Sequence, residues 1–518
     1  MDSLMPDSVD RTPDVAGQNT YFSTSPSASA SISAKTSQGF YPDLEPAVLR
    51  RSLIISSISG MLGTVFLAVI QGTVFNFFLE DLNLRDRLPY FMGLASIAGL
   101  GSIVGSWMQE RWNCRKGLFL WAIGGSRAIW LVIGLLPILK PEIKAHGQAF
   151  WWLSVLIVVF SFVHAMGANA WLSWMADLVP FNLQGKYWSY RQVACSGASI
   201  MARLICGYYL ESRRHMMTAY AIVFIITAIL GIIDALLFIF VAHRPPRRLP
   251  SKSNVSQKLF STLKEVPLRR LCEVYLLWNI ANCFMGPTLF YFMRDHLSMG
   301  VQDISLVETV SLLGYTAFSL LWGLFSDRHG HRGPLIICLI VQALAPLAYF
   351  FAERGDQALV AIAFAVGAIG FCGTNLFMIP MLINITKNKV LGRESGMAVF
   401  VIVMSIASFL AFNFGQTLYS SVGYWIGKSP QSRATYLYIM GLCMLLRAFA
   451  AMLVWLLPKT KHETDPGIVI VEVITTNPLR AAYSMVKYVA GQEKWEDAPD
   501  HPADAVQEQN LKKKGELR

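Results

Sequence analysis

Apolar residues in this chain arrive in runs of about 20 separated by short polar breaks, the length an α-helix needs to cross the hydrocarbon core of a bilayer. Lipid offers no water to satisfy backbone N–H and C=O groups, so each run must bond internally as a helix. Only 15% of the residues are charged, against roughly 25% in a soluble domain. The sequence therefore predicts an all-α membrane protein. Spans fall at about 52–79, 88–109, 117–139, 150–177, 190–210, 217–242, 271–292, 303–325, 334–352, 357–384, 396–419 and 434–457.

Twelve spans place both termini on one side, and the Lys and Arg distribution selects the side. Arg50, Arg51, Arg111, Arg115, Lys116, Lys186, Arg191, the basic group from Arg244 to Arg270, Arg328, Arg332, Lys387, Lys389, Arg393, Lys459 and Lys461 all fall on the termini's side. Both termini are thus expected in the cytoplasm, with the chain in the plasma (cell inner) membrane. The net charge of +11 follows from this bias. Its densest stretch lacks the interleaved aromatics that nucleic acid would require. The expected organisation is a disordered arm over 1–48, a six-helix half over 49–243, a linker over 244–270, a second six-helix half over 271–458 and a cytoplasmic tail over 459–518. The arm is rich in Ser, Pro, Thr and Asp and cannot bury a core.

The halves echo one another. Gly105 answers to Gly323, Gly167 and Asn169 to Gly373 and Asn375, and Gly185-Lys186 to Gly392-Arg393, always 206 to 218 residues apart. Such ordered recurrence suggests parallel repeats.

The loop after the eighth span reads GLFSDRHGHRG, with Gly323, Asp327, Arg328, Gly330, His331 and Arg332 filling a pattern of glycines, an acid and bases. It resembles the signature loop of the major facilitator superfamily. The first-half counterpart, GSWMQERWNCRKG, has Gln109 and Glu110 where an acid and a base belong, and DLVPFNLQGKYWSYRQ is similar to the segment before the fifth span. The resemblance covers about residues 50 to 458. It implies a twelve-helix fold of two six-helix pseudo-repeats, a central cavity lined by spans 1, 4, 7 and 10 and flanked by spans 2, 5, 8 and 11, and a secondary transporter working by alternating access. It further implies a latch from Asp327 to the start of the eleventh span, in which Gly392 and Arg393 take part.

An ionisable group at bilayer depth costs about 2.5 to 3.5 kcal/mol on insertion scales, so each requires an explanation. Arg127, His164, Arg203, Asp234 and Arg447 stand near mid-span. Arg127, Asp234 and Arg447 are expected to tie helices together, the first two as a pair. Arg203 shares a small, polar stripe with Ser196, Ser199 and Gly207, and His164 could carry a proton. Tyr275, Asn279, Asn282 and Gly286 form a polar face on the seventh span, where Pro287 should loosen the helix. The first span carries a thinner stripe of Gly60, Thr64 and Gln71. The candidate substrate contacts are thus Gln71, His164, Asn169, Arg203, Tyr275, Asn279, Asn282 and Asn375. The excess of mid-span cations over Asp234 favours a small organic anion held by Arg203; the neutral face of the seventh span favours a neutral polar solute.

The eight cysteines show no paired metal-ligand spacing, and no HExxH, GxSxG or phosphate-binding loop is present. No cofactor, metal or catalytic residue is expected. Gly99, Gly101 and Gly105 imitate a dinucleotide fingerprint but lie in a span, where small residues permit close helix packing. The expected partners are a small-molecule substrate, the lipid bilayer and a coupling proton or other ion, with the protein a monomer. The competing reading is a non-transporting sensor or scaffold on the same fold.

Overall fold

The computed structural model describes residues 45–96, 98–112, 115–139, 148–179, 184–213, 215–243, 265–386 and 393–457. The expected arm, most of the linker and the tail lie outside them. Twelve helical segments stand in the expected order. Span 1 comprises Pro46–Ile70 and Thr73–Asp81, and span 2 comprises Leu88–Ser96 and Ala98–Trp112. Spans 3 to 6 are Arg115–Leu139, Gln148–Leu178, Gln184–Glu211 and Met217–Leu237. Spans 7 and 8 are Val266–Asp295 and Val301–His329; span 9 comprises Arg332–Leu344 and Leu347–Phe351. Spans 10 to 12 are Gln357–Thr386, Arg393–Trp425 and Arg433–Val454.

Nine of the described helical segments are long and apolar enough to cross a membrane, and span 11, bent by 46° between Gly415 and Thr417, makes a tenth. Spans 7 and 8 are 30 and 29 residues long but more polar. They carry Asn279, Asn282, Arg294 and Asp295 in one and Asp303 and Glu308 in the other. Neighbouring helices, rather than lipid, receive these groups.

Span 6 shows how a span divides its surface. Tyr220, Phe224, Thr227, Gly231 and Asp234 are buried, whereas Ile222, Ile226, Ile229, Ile233 and Leu236 are exposed on the opposite face. An exposed isoleucine stripe would be a liability in water and is at home against acyl chains.

Spans 1 to 6 pack as one group and spans 7 to 12 as another, and the groups meet chiefly through span 2 on span 11 and span 5 on span 8. Small residues set these approaches. A Cβ at Gly207 would stand 2.8 Å from the Ser305 side chain, and one at Gly93 would stand 2.9 Å from Asn413 Nδ2. Within the first half, a Cβ at Gly101 would meet the Phe162 carbonyl at 2.3 Å and one at Gly105 the Met166 Cα at 2.8 Å. Backbone cannot yield as a flexible side chain can.

Span 1 breaks at Gln71-Gly72, with Gly72 extended at φ −117° and ψ −157°. Span 7, by contrast, stays helical through Pro287. A Cβ at Gly286 would meet nothing within 4 Å.

Gly101→Ala should cost at least about 1–3 kcal/mol, the usual penalty of overpacking, because span 2 must back away from span 4. Gly125→Ala, where a Cβ meets nothing within 4 Å, is the control. Thermal unfolding in detergent should separate the two variants, and equal midpoints would refute the close-packing account.

Candidate functional site

In the first half, Arg127 and Asp234 meet as a buried ion pair with Nη2 to Oδ2 at 3.5 Å. Ser59 donates to Asp234 Oδ1, and the missing side chain of Gly63 lets the carboxylate lie against span 1. Arg127 reaches span 4 as well, with Nη1 3.4 Å from His164 Nδ1. An arginine only donates, so Nδ1 accepts and the neutral ring carries its proton on Nε2. His164 stacks on Phe160 at 5.5 Å, and the Arg127 guanidinium sits over Phe66 at 4.0 Å. One arginine thereby gathers spans 1, 3, 4 and 6.

The second half repeats the arrangement with different groups. Arg447 donates to the Gln342 carbonyl at 2.9 Å and to Asn282 Oδ1 at 2.8 Å. Trp278 donates to Gln342 Oε1 at 3.0 Å, Gln342 Nε2 donates to Thr374 Oγ1 at 2.8 Å, and Tyr275 donates to the Thr374 carbonyl at 3.0 Å. Spans 7, 9, 10 and 12 are held together.

The polar stripe expected on span 7 is therefore shared among its neighbours. Tyr275 turns to span 10 and Asn282 to span 12, while Asn279 Nδ2 reaches Ser408 Oγ of span 11 at 2.6 Å. Asn169 donates across to span 2, at 3.0 Å to the Ser102 carbonyl and 2.6 Å to Ser106 Oγ. Among the described residues two candidates make no side-chain bond to another helix. Asn375 donates to the Phe371 carbonyl of its own helix at 2.9 Å, and the exposed Gln71 marks the break in span 1.

Arg203 does not face the cavity as a lone cation. It pairs with Glu308 of span 8, and both lie beside Gly72, where a Cβ would stand 3.0 Å from Arg203 Nη1 and 3.3 Å from Glu308 Oε2. Ser196 and Thr316 continue the same contact between halves at 3.0 Å. The charge excess read from the sequence omitted Glu308, although its position within span 8 was legible. With Arg203 neutralised, the argument for an organic anion that rested on it loses its basis.

At the end bearing residues 82–87 and 296–300, the halves are bonded to one another. Arg85 pairs with Asp295, Arg294 Nε donates to Glu80 at 2.9 and 3.1 Å, and Tyr291 donates to the Arg85 carbonyl at 2.8 Å. Tyr436 donates to Asp295 Oδ2 at 2.9 Å, and Phe77 packs edge-on against Phe290 at 5.5 Å. At the opposite end several side-chain bonds run within one half. Trp174 donates to the Ala242 carbonyl, Arg270 to the Leu456 carbonyl, and Arg332 to the Val454 and Trp455 carbonyls. Gly330, at φ 74°, ends span 8 with the backbone turn that favours glycine. Gly323, Asp327 and Arg328 lie in the last turns of span 8 and Arg393 opens span 11, but the side-chain latch and Gly392 lie outside the described residues. Among the described residues no group of three or more His, Cys, Asp or Glu could hold a metal.

Asp234→Asn should destabilise the protein by about 3–5 kcal/mol, because it leaves the Arg127 charge buried and uncompensated. Arg127→Met combined with Asp234→Leu should cost less than either single change. Chemical unfolding of the three variants measures this, and a double variant as damaged as the sum of the singles would exclude the pairing account.

The Major Facilitator Superfamily model matches residues 274–490. Among solved structures, a point mutant of a nucleoside transporter aligns with a TM-score of 0.59 at 15% identity, over 80% of this chain and 100% of its own. A POT family transporter aligns with a TM-score of 0.58 at 12% identity, over 80% and 98%. A D-xylose-proton symporter aligns at 0.56 and 18%, over 81% and 100%. At such identities the likeness is one of fold. The family match over residues 274–490, the helical architecture and the Gly-Asp-Arg-Gly loop after span 8 agree, and the chain has the fold of Major Facilitator Superfamily transporters.

Proposed function

We propose that the chain is a secondary transporter that carries a small polar solute by alternating access, rocking its two six-helix halves about a site near mid-membrane. The observation that supports this best is the asymmetry of the contacts between halves. Ion pairs and aromatic packing join them at one end, while the bonds named at the other end run within one half. Halves bonded to one another at one end fit one of the two dispositions that alternating access requires.

The positive-inside rule puts the end opposite these bonds in the cytoplasm, and we read this conformation, bonded at its external end, as facing inward. Opening the other side requires the Arg85–Asp295 and Glu80–Arg294 pairs to part, and small residues at the span 2–span 11 and span 5–span 8 contacts let the halves slide. Coupling falls to a proton or another ion. The acid we assign to it is Glu308, partly exposed and bonded across the halves to Arg203. Asp327 holds the cytoplasmic latch. The transporter works as a monomer in the plasma (cell inner) membrane.

Spin labels at Asn83→Cys and Ser298→Cys, both exposed in short loops of opposite halves, report the closed end directly. The otherwise unaltered protein should show one short distance. Arg85→Gln with Glu80→Gln should add a longer population, and uptake of a panel of labelled small polar solutes into proteoliposomes should change in rate. An identical distance distribution in every variant, with no uptake of any solute, would favour the sensor or scaffold reading.

A further inference from the structure

Every buried or half-buried arginine so far described has found its partner, and Arg191 is different. It lies on span 5 about 10 Å along the helix from its start, at 1.5 Å per residue. Its guanidinium carbon stands 4.7 Å from the ring centre of Trp171 on span 4 and 5.7 Å from that of Trp188 on span 5. Those rings meet each other at 5.8 Å and 81°. On the remaining side is Gly60 of span 1, where a Cβ would fall 2.5 Å from Arg191 Nη2. Among the described residues nothing accepts a hydrogen bond from Arg191, and its Nε is buried with no partner. A charge held inside a membrane protein is ordinarily paired or faces a water-filled cavity.

The surrounding charges do not supply the missing acceptor. Among the described residues, the acid nearest to Arg127 and Arg191 is Asp234, and that carboxylate bonds to Arg127 and Ser59. The cation is thus positioned with no bonded acid among the described residues. Two tryptophans confine it, which leaves the in-plane N–H groups as its means of recognition. That edge matches a carboxylate or phosphate, which it can bind through two parallel hydrogen bonds. The face of span 1 that meets Arg191 continues through Thr64 to Gln71, whose side chain has no partner among the described residues, and reaches the Arg203–Glu308 pair at Gly72. Spans 1, 4 and 5 therefore present, at one end of a polar stripe, a cation with no acceptor among the described residues.

We infer that Arg191, confined by Trp171 and Trp188 and seated against Gly60, binds the carboxylate or phosphate of a small soluble organic anion, whose polar remainder lies along Thr64 and Gln71. The inference rests on the transporter reading only for the route by which the anion arrives, from the open end between the halves. Binding itself can be tested without transport.

The experiment uses the full chain purified in uncharged detergent, with benzoate and inorganic phosphate as anionic probes and benzamide as the neutral isostere. Benzoate or phosphate should raise the unfolding temperature of the unaltered protein in a saturable manner, and benzamide should not. Arg191→Gln should weaken the anion by about tenfold to a hundredfold, the range for losing a charge-assisted pair of hydrogen bonds. Arg191→Lys should fall between the two, because it keeps the charge and loses the fork. It also serves as the second variant should Arg191→Gln fail to fold. No stabilisation by either anion, equal stabilisation by benzamide, or undiminished binding in both variants would overturn the inference. So would displacement of benzoate by phosphatidylglycerol, since Arg191 would then be a lipid contact. If the spin-label distances never change but anion binding still depends on Arg191, transport fails and the site stands; the reverse result leaves transport standing and removes the site.

Discussion

A buried arginine with its partners supplied by neighbouring helices is the interaction on which each half depends. Arg127 on span 3 collects Asp234 on span 6 and His164 on span 4, and Ser59 on span 1 completes the set. Arg447 on span 12 collects Asn282 on span 7 and the Gln342 carbonyl on span 9, and Gln342 passes the connection to Thr374 on span 10. The four helices concerned are equivalent in the two repeats. The chemistry is not, because the first half answers its arginine with a carboxylate and the second with amides and carbonyls. Water is absent from the bilayer interior, so either solution serves provided the donors find acceptors.

The contacts between halves are built on another principle. Where span 2 crosses span 11 and span 5 crosses span 8, glycines and serines bring the backbones together with few committed hydrogen bonds. The bonds that do join the halves are partly exposed, among them Arg85–Asp295, Glu80–Arg294 and Arg203–Glu308. Ion pairs open to solvent are each worth about 0–1 kcal/mol net, whereas breaking a buried one by removing a partner costs several. Each half is consequently held more tightly within itself than to its neighbour. Rigid halves on a weak seam are what a rocking motion requires.

Much of the fold was legible because lipid imposes a simple rule on the chain. Long apolar runs had to be helices, and the loop after span 8 had to turn, as Gly330 does at positive φ. The pairing of Arg127 with Asp234 was open to expectation because two opposite charges at bilayer depth need each other. The candidate contacts were less legible. Asn279, Asn282 and Tyr275 recur at helical spacing, yet each turns to a different helix, since span 7 is surrounded on several sides. Spacing places residues on a face, but the neighbours decide whether that face meets a cavity or another helix.

By itself the sequence determined the all-helical membrane architecture, the order of its apolar segments and the presence of intramembrane charges, because these follow from composition and local spacing. Only the tertiary structure decided which charges are satisfied. Arg203 carried the strongest sequence argument for a free cation and is neutralised by Glu308, which lies 105 residues away in the other half. Arg191 entered only the positive-inside tally and the segment before the fifth span, and it sits between two tryptophans with no acceptor among the described residues. Ionic pairing depends on distances between helices far apart in the chain, and no periodicity within one helix encodes them.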